Sequence, residues 1–262
     1  MKGPLEDRGS VDRPTLAVFH DKLYMAWRGV DDDKRLFWTT FDEATQDWLP
    51  PKVTKPKASH ASPALAVFKD KFYMAYRGAD NKRLGWAIYT EAAEEWLPHN
   101  ELNDAGSEWG PAFVVFEDKL FMFWTGEDTQ AFFFSTFDGQ GEKLLWAGPR
   151  RVVPPLFSYR SPGLVVFHDQ LFIFQIGTLT EFSGEDAPFD NFDTQLCFTR
   201  FDGNIPFRTN FLSATSASSP AVAVFFELTR SLKLFLQRHG FNPSEGVRQV
   251  GRGSVKSLTG LA

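Results

Sequence analysis

Five apolar segments of equal length recur along the chain, and each follows a proline. The segments read TLAVF, ALAVF, AFVVF, GLVVF and AVAVF, and the prolines before them are Pro14, Pro63, Pro111, Pro162 and Pro220. A continuous apolar run of this kind predicts a β-strand that is covered on both faces. Proline is tolerated at the head of such a strand, where its missing N–H does least harm. Copies spaced by about 50 residues are typical of a propeller or a solenoid.

A second strand follows each apolar segment after a short polar turn. In the second copy the turn is Lys69 to Lys71, and the strand runs from Phe72 to Arg77 before Gly78. The turns carry an acid at one equivalent place, at Asp21, Asp70, Asp118 and Asp169. A repeated ligand site is one interpretation of these acids. We favour the other, that aspartate bonds its own turn backbone, because such turns need only local chemistry.

A third and a fourth strand complete each copy. The third is aromatic and reads RLFWTTF at 35–41, RLGWAIY at 83–89, AFFFSTF at 131–137 and QLCFTRF at 195–201. The weaker fourth is centred on Trp48, Trp96, Trp146 and, in the fourth copy, Phe207. Helical periodicity and capping boxes are missing from the sequence. We therefore predict an all-β fold, a five-bladed β-propeller of four-stranded antiparallel blades, with a solenoid as the alternative.

The first residues of the chain predict how the ring closes. The segment PLEDRGS, which ends at Ser10, resembles LNDAGS at 102–107, where the second copy ends. We therefore expect the N-terminal segment to pair with the end of the fifth repeat. The chain is then a single propeller domain, 1–262, with repeats of about 11–58, 59–107, 108–157, 158–215 and 216–262.

The fourth and fifth copies depart from the pattern. An insertion around FSGEDAPFDNF separates the second and third strands of the fourth copy. It is rich in acids, at Glu181, Glu185, Asp186, Asp190 and Asp193, which alternate with Phe182, Phe189 and Phe192. It is either a lid over the central channel or a solvated loop held by its aromatic side chains. The fifth copy has no clear aromatic third strand.

Charge and composition narrow the classes of ligand and compartment. The formal net charge is −5, and the basic residues are scattered along the chain. Because binding of nucleic-acid phosphates needs a concentrated cationic face, we expect no nucleic-acid partner. Cys197 is the single cysteine, and we interpret it as a buried strand residue beside Phe198 rather than a nucleophile. The polar N-terminus lacks the apolar core of a secretory signal, and no apolar run is long enough for a membrane helix. We expect a cytoplasmic protein without membrane insertion; a trimmed signal or non-classical secretion is the alternative.

One face of the predicted disc gathers charged and aromatic residues. In a four-stranded blade, the connection from strand two to strand three and the segment that leads into strand one lie on the same face, and function usually lies on such loops. The first two copies share a pattern there, an aromatic residue, an arginine and a glycine followed by an aspartate and a second arginine. The residues are Trp27, Arg28, Asp31 and Arg35 in the first copy and Tyr76, Arg77, Asp80 and Arg83 in the second.

A carbohydrate site is one interpretation of this pattern, and Trp109 adds a further ring to the same face. An aromatic ring stacks on the apolar face of a sugar, while charged groups bind its hydroxyls. The alternative is that Trp27 and Tyr76 pack between blades and that the arginines form surface ion pairs. In the later copies the arginine is replaced by Thr125, Ile176 and His239.

An enzyme would need one asymmetric site, for which Asp12, Glu108 and Glu185 are the candidate catalytic acids. General acid and base chemistry on a glycoside needs two carboxylates at a defined separation. The histidines are dispersed without metal-ligand spacing, at His20, His60, His99, His168 and His239. The sequence contains no P-loop, dinucleotide fingerprint or G-x-S-x-G motif. We therefore expect no metal and no cofactor.

The repeats, with aromatic second and third strands and a W/Y-R-G step, resemble those of propeller lectins and sialidase-like propellers. The resemblance covers Asp12 to about Gly240 and lies in the architecture. Five units suggest the five-bladed arrangement of tachylectin-like proteins. The S-x-D-x-G-x-T-W box and the arginine triad of sialidases are missing, which argues against sialidase activity.

We predict a carbohydrate-binding protein, a lectin with repeated shallow sugar sites on one face of the propeller. Several weak equivalent sites gain avidity through multivalency. The partners would be glycans or a small polar ligand, and the oligomeric state is open. The alternatives are a glycoside-hydrolase-type or other enzyme with one asymmetric site at the central channel, and a protein-interaction scaffold.

Overall fold

The computed structural model describes residues 9–10, 12–97, 99–140, 146–152, 158, 160–176, 195–202, 210–215, 221–226 and 232–237. The backbone of this part of the chain forms twenty β-strands joined by turns and loops. Within these ranges no segment is a helix long and apolar enough to cross a membrane.

The strands form five antiparallel sheets that follow one another along the chain. The first contains β1 (Thr15–Phe19), β2 (Lys22–Arg28), β3 (Arg35–Asp42), β4 (Asp47–Trp48) and β5 (Lys52–Ala58). The second contains β6 (Ala64–Phe68), β7 (Lys71–Arg77), β8 (Arg83–Thr90), β9 (Glu95–Trp96) and β10 (Asn100–Gly106). The third contains β11 (Ala112–Phe116), β12 (Lys119–Thr125), β13 (Phe132–Phe137) and β14 (Arg150–Arg151). The fourth contains β15 (Gly163–Phe167), β16 (Gln170–Ile176), β17 (Gln195–Phe201) and β18 (Asn210–Thr215), and the fifth contains β19 (Ala221–Phe226) and β20 (Leu232–Gln237).

Two-residue turns join the first and second strands of the first four sheets. In the first sheet Phe19 pairs with Lys22, so only His20 and Asp21 form the turn. Their φ angles are 44° and 59°, and the equivalent residues of the next three sheets have positive φ as well. Two consecutive left-handed residues are typical of a type I′ turn, whose twist matches the strands. The aspartates thus lie in the predicted turns, and their side chain tolerates this backbone. The expected bond from each aspartate to its own turn backbone is not among the described hydrogen bonds, and Asp70 and Asp118 pair instead with His20 and Lys69 of the preceding turns.

The fourth strand is not centred on the predicted tryptophans. In the first sheet it begins as β4, which ends at Trp48, and resumes as β5; both pieces pair with β3. Pro50 and Pro51 separate them, because proline cannot donate to a ladder. The second sheet repeats this break between β9 and β10. Trp146 precedes β14 instead of lying in it, and Phe207 falls outside the described residues.

The hydrophobic core lies between successive sheets. Alternate residues of a strand point to opposite faces, so each second strand contributes to two interfaces. Phe72, Met74 and Tyr76 of β7 pack with Tyr24 and Trp38 of the first sheet. Full burial of such a side chain stabilises the fold by roughly 1.5–3 kcal/mol. The two sheets are therefore held together by a core of their own.

The same division is repeated at the next interfaces. Tyr73, on the other face of β7, packs in one cluster with Met122 and Trp124 of the third sheet. Phe123 of the third sheet packs in a further cluster with Ile173 of the fourth. The second and third sheets thus each contact the sheet before them with one face and the sheet after them with the other.

The first strands of successive sheets lie next to one another. β6 contacts β1 and β11, and β15 contacts β11 and β19. The loops that lead into these strands are equally close, since a Cβ on Gly110 would lie 2.7 Å from the carbonyl oxygen of Ser62 and 3.2 Å from Cβ of Ala61. The proline-led strands therefore gather in chain order along one inner side, as the predicted architecture requires.

The prediction that every first strand is covered on both faces is wrong for β1. Leu16 and Val18 are 56% and 63% exposed. Their equivalents in β6, Leu65 and Val67, pack on the core shared with the first sheet. The exposed side of β1 therefore corresponds to the side of β6 that packs on the preceding sheet.

The fourth sheet contains the predicted insertion and the cysteine. The connection between β16 and β17 runs from 177 to 194, and the residues of this loop lie outside the described part of the chain. Cys197 in β17 is buried and carries a free thiol, which confirms its interpretation as a strand residue.

Candidate functional site

Two opposite faces of the sheets carry different loops. The hairpin face holds the type I′ turns. The other face holds the connections from second to third strands together with the segments that lead into the first strands. Ser59 forms a bridge with Gly78, and the N–H of Glu108 donates to the carbonyl of Thr125 at 3.3 Å. The prediction that these two sets of loops share a face is confirmed for the described residues.

A serine four residues before each proline shapes these lead-in segments. The serines are Ser10, Ser59, Ser107, Ser158 and Ser216, and we call each stretch from such a serine to its proline a Ser–Pro segment. Ser59 Oγ donates to the carbonyl of Ala61 and Ser107 Oγ to that of Trp109, both at 2.7 Å. These serines were not among the predicted site residues, although the S-x-x-x-P pattern recurs in every copy. We call the face that carries them the Ser–Pro face.

Arg28 and Arg77 are buried and bind the backbone of the next Ser–Pro segment. Arg28 Nε donates to the carbonyl of Ser59 at 3.2 Å, and Arg77 Nε donates to the carbonyl of Ser107 at 2.8 Å. Thr125 Oγ1 of the third sheet donates instead to the carbonyl of Arg160 at 2.9 Å, two residues after the serine of the fourth Ser–Pro segment. Burial lowers the pKa of Arg77. A hydrogen bond from a charged donor is stronger than a neutral one, so these residues connect neighbouring sheets.

The aromatic rings of the predicted pattern are buried within the sheets. Trp27 stacks on Phe37 with 5.7 Å between ring centroids. Tyr76 lies over Gly85, where a Cβ would be 2.4 Å from the ring, and its hydroxyl is 3.2 Å from Nδ1 of His99. Burial raises the pKa of Tyr76. Tyr76 packs between two sheets, as the packing alternative describes, whereas Trp27 packs on its own sheet. Neither ring offers its face to solvent.

The exposed arginine of the first sheet pairs with an aspartate that the pattern left out. Arg35 Nε and Nη2 donate to the two carboxylate oxygens of Asp33 at 2.8 and 2.7 Å, and these bonds lower the pKa of Asp33. Asp31 contributes its backbone, because its carbonyl accepts a bond from Arg28 Nη2 at 2.8 Å.

The second sheet lacks this pair. Asn81 occupies the position of Asp33, and its Oδ1 accepts the backbone N–H of Arg83 at 3.1 Å. Arg83 and Asp80 are exposed on the Ser–Pro face. The two copies that match best in sequence therefore differ in the charges they present.

Trp109 is half-buried on the Ser–Pro face, and Arg160 lies over its ring. The distance from Cζ of Arg160 to the ring centroid is 4.3 Å, which is a cation–π contact. The two residues hold equivalent positions in the third and fourth Ser–Pro segments. Neighbouring segments therefore meet at this pair.

Charged groups of both signs adjoin Trp109. Lys82 Nζ is 2.8 Å from a carboxylate oxygen of Glu108 and 3.1 Å from one of Glu127. These hydrogen bonds raise the pKa of Lys82. The three side chains are 36–41% exposed, so donors and acceptors remain available to a ligand.

Asp12 holds the position of Trp109 in the first Ser–Pro segment. Its carboxylate accepts the N–H of Arg13 at 2.8 Å and that of Ser62 at 3.4 Å, so it joins the first and second segments. Burial lowers the pKa of Arg13, and the charge of Asp12 opposes that effect. Glu185, the third candidate acid, lies outside the described residues. Within the described ranges no three His, Cys, Asp or Glu side chains cluster closely enough to hold a metal ion.

Comparison with known proteins identifies relatives in fold only. No protein-family model and no curated protein matches the chain. An exo-β-1,3-galactanase from Phanerochaete chrysosporium, solved with β-1,3-galactotriose, is similar with a TM-score of 0.53 and 10% identity, over 91% of this chain and 62% of the galactanase. A GH43 β-1,3-galactosidase solved with galactodeoxynojirimycin gives a TM-score of 0.52 and 9% identity, over 88% and 91% of the two chains. A protein of unknown function from Dyadobacter fermentans gives a TM-score of 0.56 and 12% identity, over 86% and 78%.

These neighbours agree with the architecture built from the strands. The chain spans 62% of the galactanase, less than two thirds of its length. GH43 enzymes are β-propellers, and the consecutive antiparallel sheets of this chain fit the same fold. At such identities the likeness concerns the fold alone.

Proposed function

We propose that this protein binds carbohydrate on the Ser–Pro face of a β-propeller. The observation that carries the proposal is the half-buried ring of Trp109, which follows directly after Glu108, whose carboxylate pairs with Lys82. An aromatic ring packs on the C–H face of a sugar, and charged groups bind its hydroxyls with strong hydrogen bonds. Neighbours in fold that were solved with a galactotriose and with galactodeoxynojirimycin support a sugar as the ligand class.

The buried members of the predicted site support this surface from below. Arg28 and Arg77 fix the Ser–Pro segments that present the site, and Trp27 and Tyr76 pack beneath them. The exposed members, Arg35, Asp80 and Arg83, lie on the same face and would bind further hydroxyls of a longer oligosaccharide. Several such positions on one face are what a binding protein with repeated weak sites requires.

The proposed propeller has five blades and closes on itself. The fifth sheet begins with β19, which contacts β15. In a closed ring this sheet would cover Leu16 and Val18, the apolar side of β1 that corresponds to a blade interface elsewhere. The N-terminal segment up to Ser10 would pair with the end of the fifth repeat, so that 1–262 forms one domain.

A glycan array followed by titration of the strongest ligand tests the Trp109 site. We expect Trp109→Ala to weaken binding by about tenfold or more, equivalent to ~1.4 kcal/mol. Trp48→Ala is the matched control, because Trp48 is also half-buried but packs on Phe41 at the opposite end of β3. Equal binding by wild type and Trp109→Ala would remove Trp109 from the site. Failure of the wild-type chain to bind any glycan would favour the protein-interaction scaffold.

A glycoside hydrolase is the second candidate. The observation in its favour is the carboxylate of Asp12, fixed by two backbone N–H groups, on the face that also carries Glu108. Hydrolysis of a β-1,3-linked galactan that disappears in Asp12→Ala or Glu108→Ala would support the enzyme. Binding of the same glycan without product would support the binding protein.

A further inference from the structure

Two junctions between neighbouring sheets share one backbone arrangement. Lys34 and Lys82 each directly precede a third strand. The carbonyl of Lys34 accepts the N–H of Ser59 at 2.8 Å, and the carbonyl of Lys82 accepts the N–H of Ser107 at 2.9 Å. These backbone bonds of the two junctions are therefore equivalent, although the loop between Gly29 and Arg35 is one residue longer than the loop between Gly78 and Arg83.

The side chains on this common backbone differ in charge. In the second junction, Glu108 and Glu127 both bind Lys82. Glu108 follows the serine and Glu127 follows the glycine that ends the second strand. At these two positions the first junction has His60 and Ala79. Both acids that neutralise the lysine in one junction are therefore missing from the other.

Further positive charge surrounds His60. Arg28 Nε donates to the neutral carbonyl of Ser59 within this junction. Arg77 Nε donates to the carbonyl of Ser107, and the charges of Glu108 and Glu127 also act on Arg77. Lys34 forms no ion pair with any residue of the described ranges. Burial lowers the pKa of His60, and so do the charges of Lys34, Arg77 and Arg28. The carboxylate of Asp80 raises it.

We infer that this first junction, around Lys34, His60 and Arg77, binds the anionic group of an acidic saccharide, a carboxylate or a sulfate ester. The inference rests on the proposed carbohydrate function and narrows its ligand to charged sugars. The ammonium of Lys34 and the exposed imidazole of His60 would donate hydrogen bonds to the oxyanion, in the place that carboxylates take in the second junction. The buried arginines add to the attraction because charges interact more strongly away from water.

The pH dependence of binding follows from the same groups. A bound oxyanion favours the protonated imidazole, so affinity rises as the pH falls through the pKa of His60. Binding should therefore be stronger at mildly acidic pH than at neutral pH.

Glucuronate, glucose and inorganic sulfate are suitable probes, with binding followed by calorimetry and by the ring resonances of His60. We expect glucuronate to bind and to shift the His60 resonances, while glucose leaves them unchanged. The double variant His60→Glu with Ala79→Glu reproduces the neutral second junction and should weaken glucuronate binding by about tenfold or more, since a hydrogen bond to a charged group is lost. Lys34→Gln should act in the same direction. Lys71→Gln, an exposed lysine beside the turn on the hairpin face, is the control and should change affinity by less than about twofold.

The outcomes separate this inference from the proposed Trp109 site. Glucuronate affinity that is unchanged in the double variant and in Lys34→Gln would overturn it. Binding of sulfate without any binding of glucuronate would also overturn it, because the junction would then take a free ion. Neutral-glycan binding that is the same in wild type and Trp109→Ala, with glucuronate binding retained, would remove the Trp109 site and leave this one in place.

Discussion

Small buried hydroxyls determine the shape of the Ser–Pro face at the level of single residues. Ser107 Oγ lies 2.7 Å from the carbonyl of Trp109 and 2.9 Å from that of Thr125, and the side chain is fully buried. Serine suits this position because its short side chain reaches a carbonyl two residues ahead. Among the described bonds only Ser107 donates to the carbonyl of Trp109, whereas the carbonyl of Thr125 also accepts the N–H of Glu108 at 3.3 Å. The serine therefore fixes the backbone that carries Trp109.

Replacement of this serine by alanine should destabilise the fold. We expect Ser107→Ala to lower the free energy of unfolding by about 1–3 kcal/mol, because buried carbonyls lose their donor. Chemical denaturation measures the change, and Thr90→Ala, at an exposed strand end, is the control. A loss no larger than that of the control would contradict the role given to Ser107.

His20 and His60 should titrate in opposite directions from their common reference value. The bonds of His20 to Asp70 at 2.9 Å and to Glu91 at 2.7 Å raise its pKa, whereas burial lowers the pKa of His60. Because the folded pKa of His20 is raised, its stabilising effect is complete below about pH 6.5 and is lost as the pH rises through the folded value. NMR titration of both rings, with Asp70→Asn as a variant, measures this. A His20 pKa that Asp70→Asn leaves unchanged would argue against the ion pair.

The residues of the W/Y-R-G pattern could be recognised in the sequence, but their structural roles could not. The W/Y-R-G step reads the same whether its ring is exposed or packed. Burial of Trp27 and Tyr76 depends on Phe37 and Gly85, which face them only through the register of the next strand. That register is set by long-range pairing, so local sequence could not decide between a sugar platform and a packed ring.

At the scale of elements, the hairpin turns connect sheets by charge. The first residue of one turn faces the second residue of the next turn, as in His20 with Asp70 at 2.9 Å and Lys69 with Asp118 at 3.1 Å. The third turn has Glu117 at the first position, and the acid Asp169 occupies the second position of the fourth turn. The series of opposite charges is therefore interrupted once among the four described turns.

Restoring a positive charge at this turn should stabilise the protein slightly. We expect Glu117→Lys to raise the free energy of unfolding by about 0.2–1 kcal/mol, since both side chains are exposed. The gain should shrink at high salt because screening weakens exposed pairs. Thermal unfolding at low and high salt measures it, with Glu117→Gln as the variant that only removes a like charge. A lysine variant no more stable than the glutamine variant would show that no pair with Asp169 forms.

The sequence predicted the inner strands better than the outer ones. The first three strands of the first four sheets carry apolar and aromatic runs, and their positions agree with the prediction. β5 and β10 were missed because they read KVTKPKA and NELNDAG, which are mostly polar. Such strands lie at the sheet edge, where pairing with one neighbour suffices and an apolar pattern is not needed.

At the scale of the whole molecule, the central question is closure of the ring. The repeats predict contacts between consecutive sheets, because each sheet packs on the next through equivalent positions of the repeat. Closure joins the first sheet to the last, and no local pattern fixes that contact. The apolar side of β1 is where the two ends would meet.

A pair of equivalent substitutions tests closure. In a closed ring Leu16→Ala should cost about as much as Leu65→Ala, roughly 2–5 kcal/mol, because both side chains would face a neighbouring sheet. In an open arrangement Leu16→Ala should stay within about 0.5 kcal/mol of wild type, as surface substitutions do. Urea denaturation of the two variants gives the comparison, and a near-zero cost for Leu16→Ala alone would rule out closure on this face.

The bridge from Ser59 to Gly78 has a consequence for how such a chain diversifies. The hydrogen bonds between neighbouring sheets are made by backbone groups and a few buried side chains. The exposed side chains beside them take no part in these bonds and can vary without disturbing the fold. Duplication of one repeat that starts at such a serine would add a complete new binding surface. The side chains at two or three exposed positions would set the charge of that surface. Grafting the exposed residues of one junction onto another would then transplant its ligand preference while the scaffold stays the same.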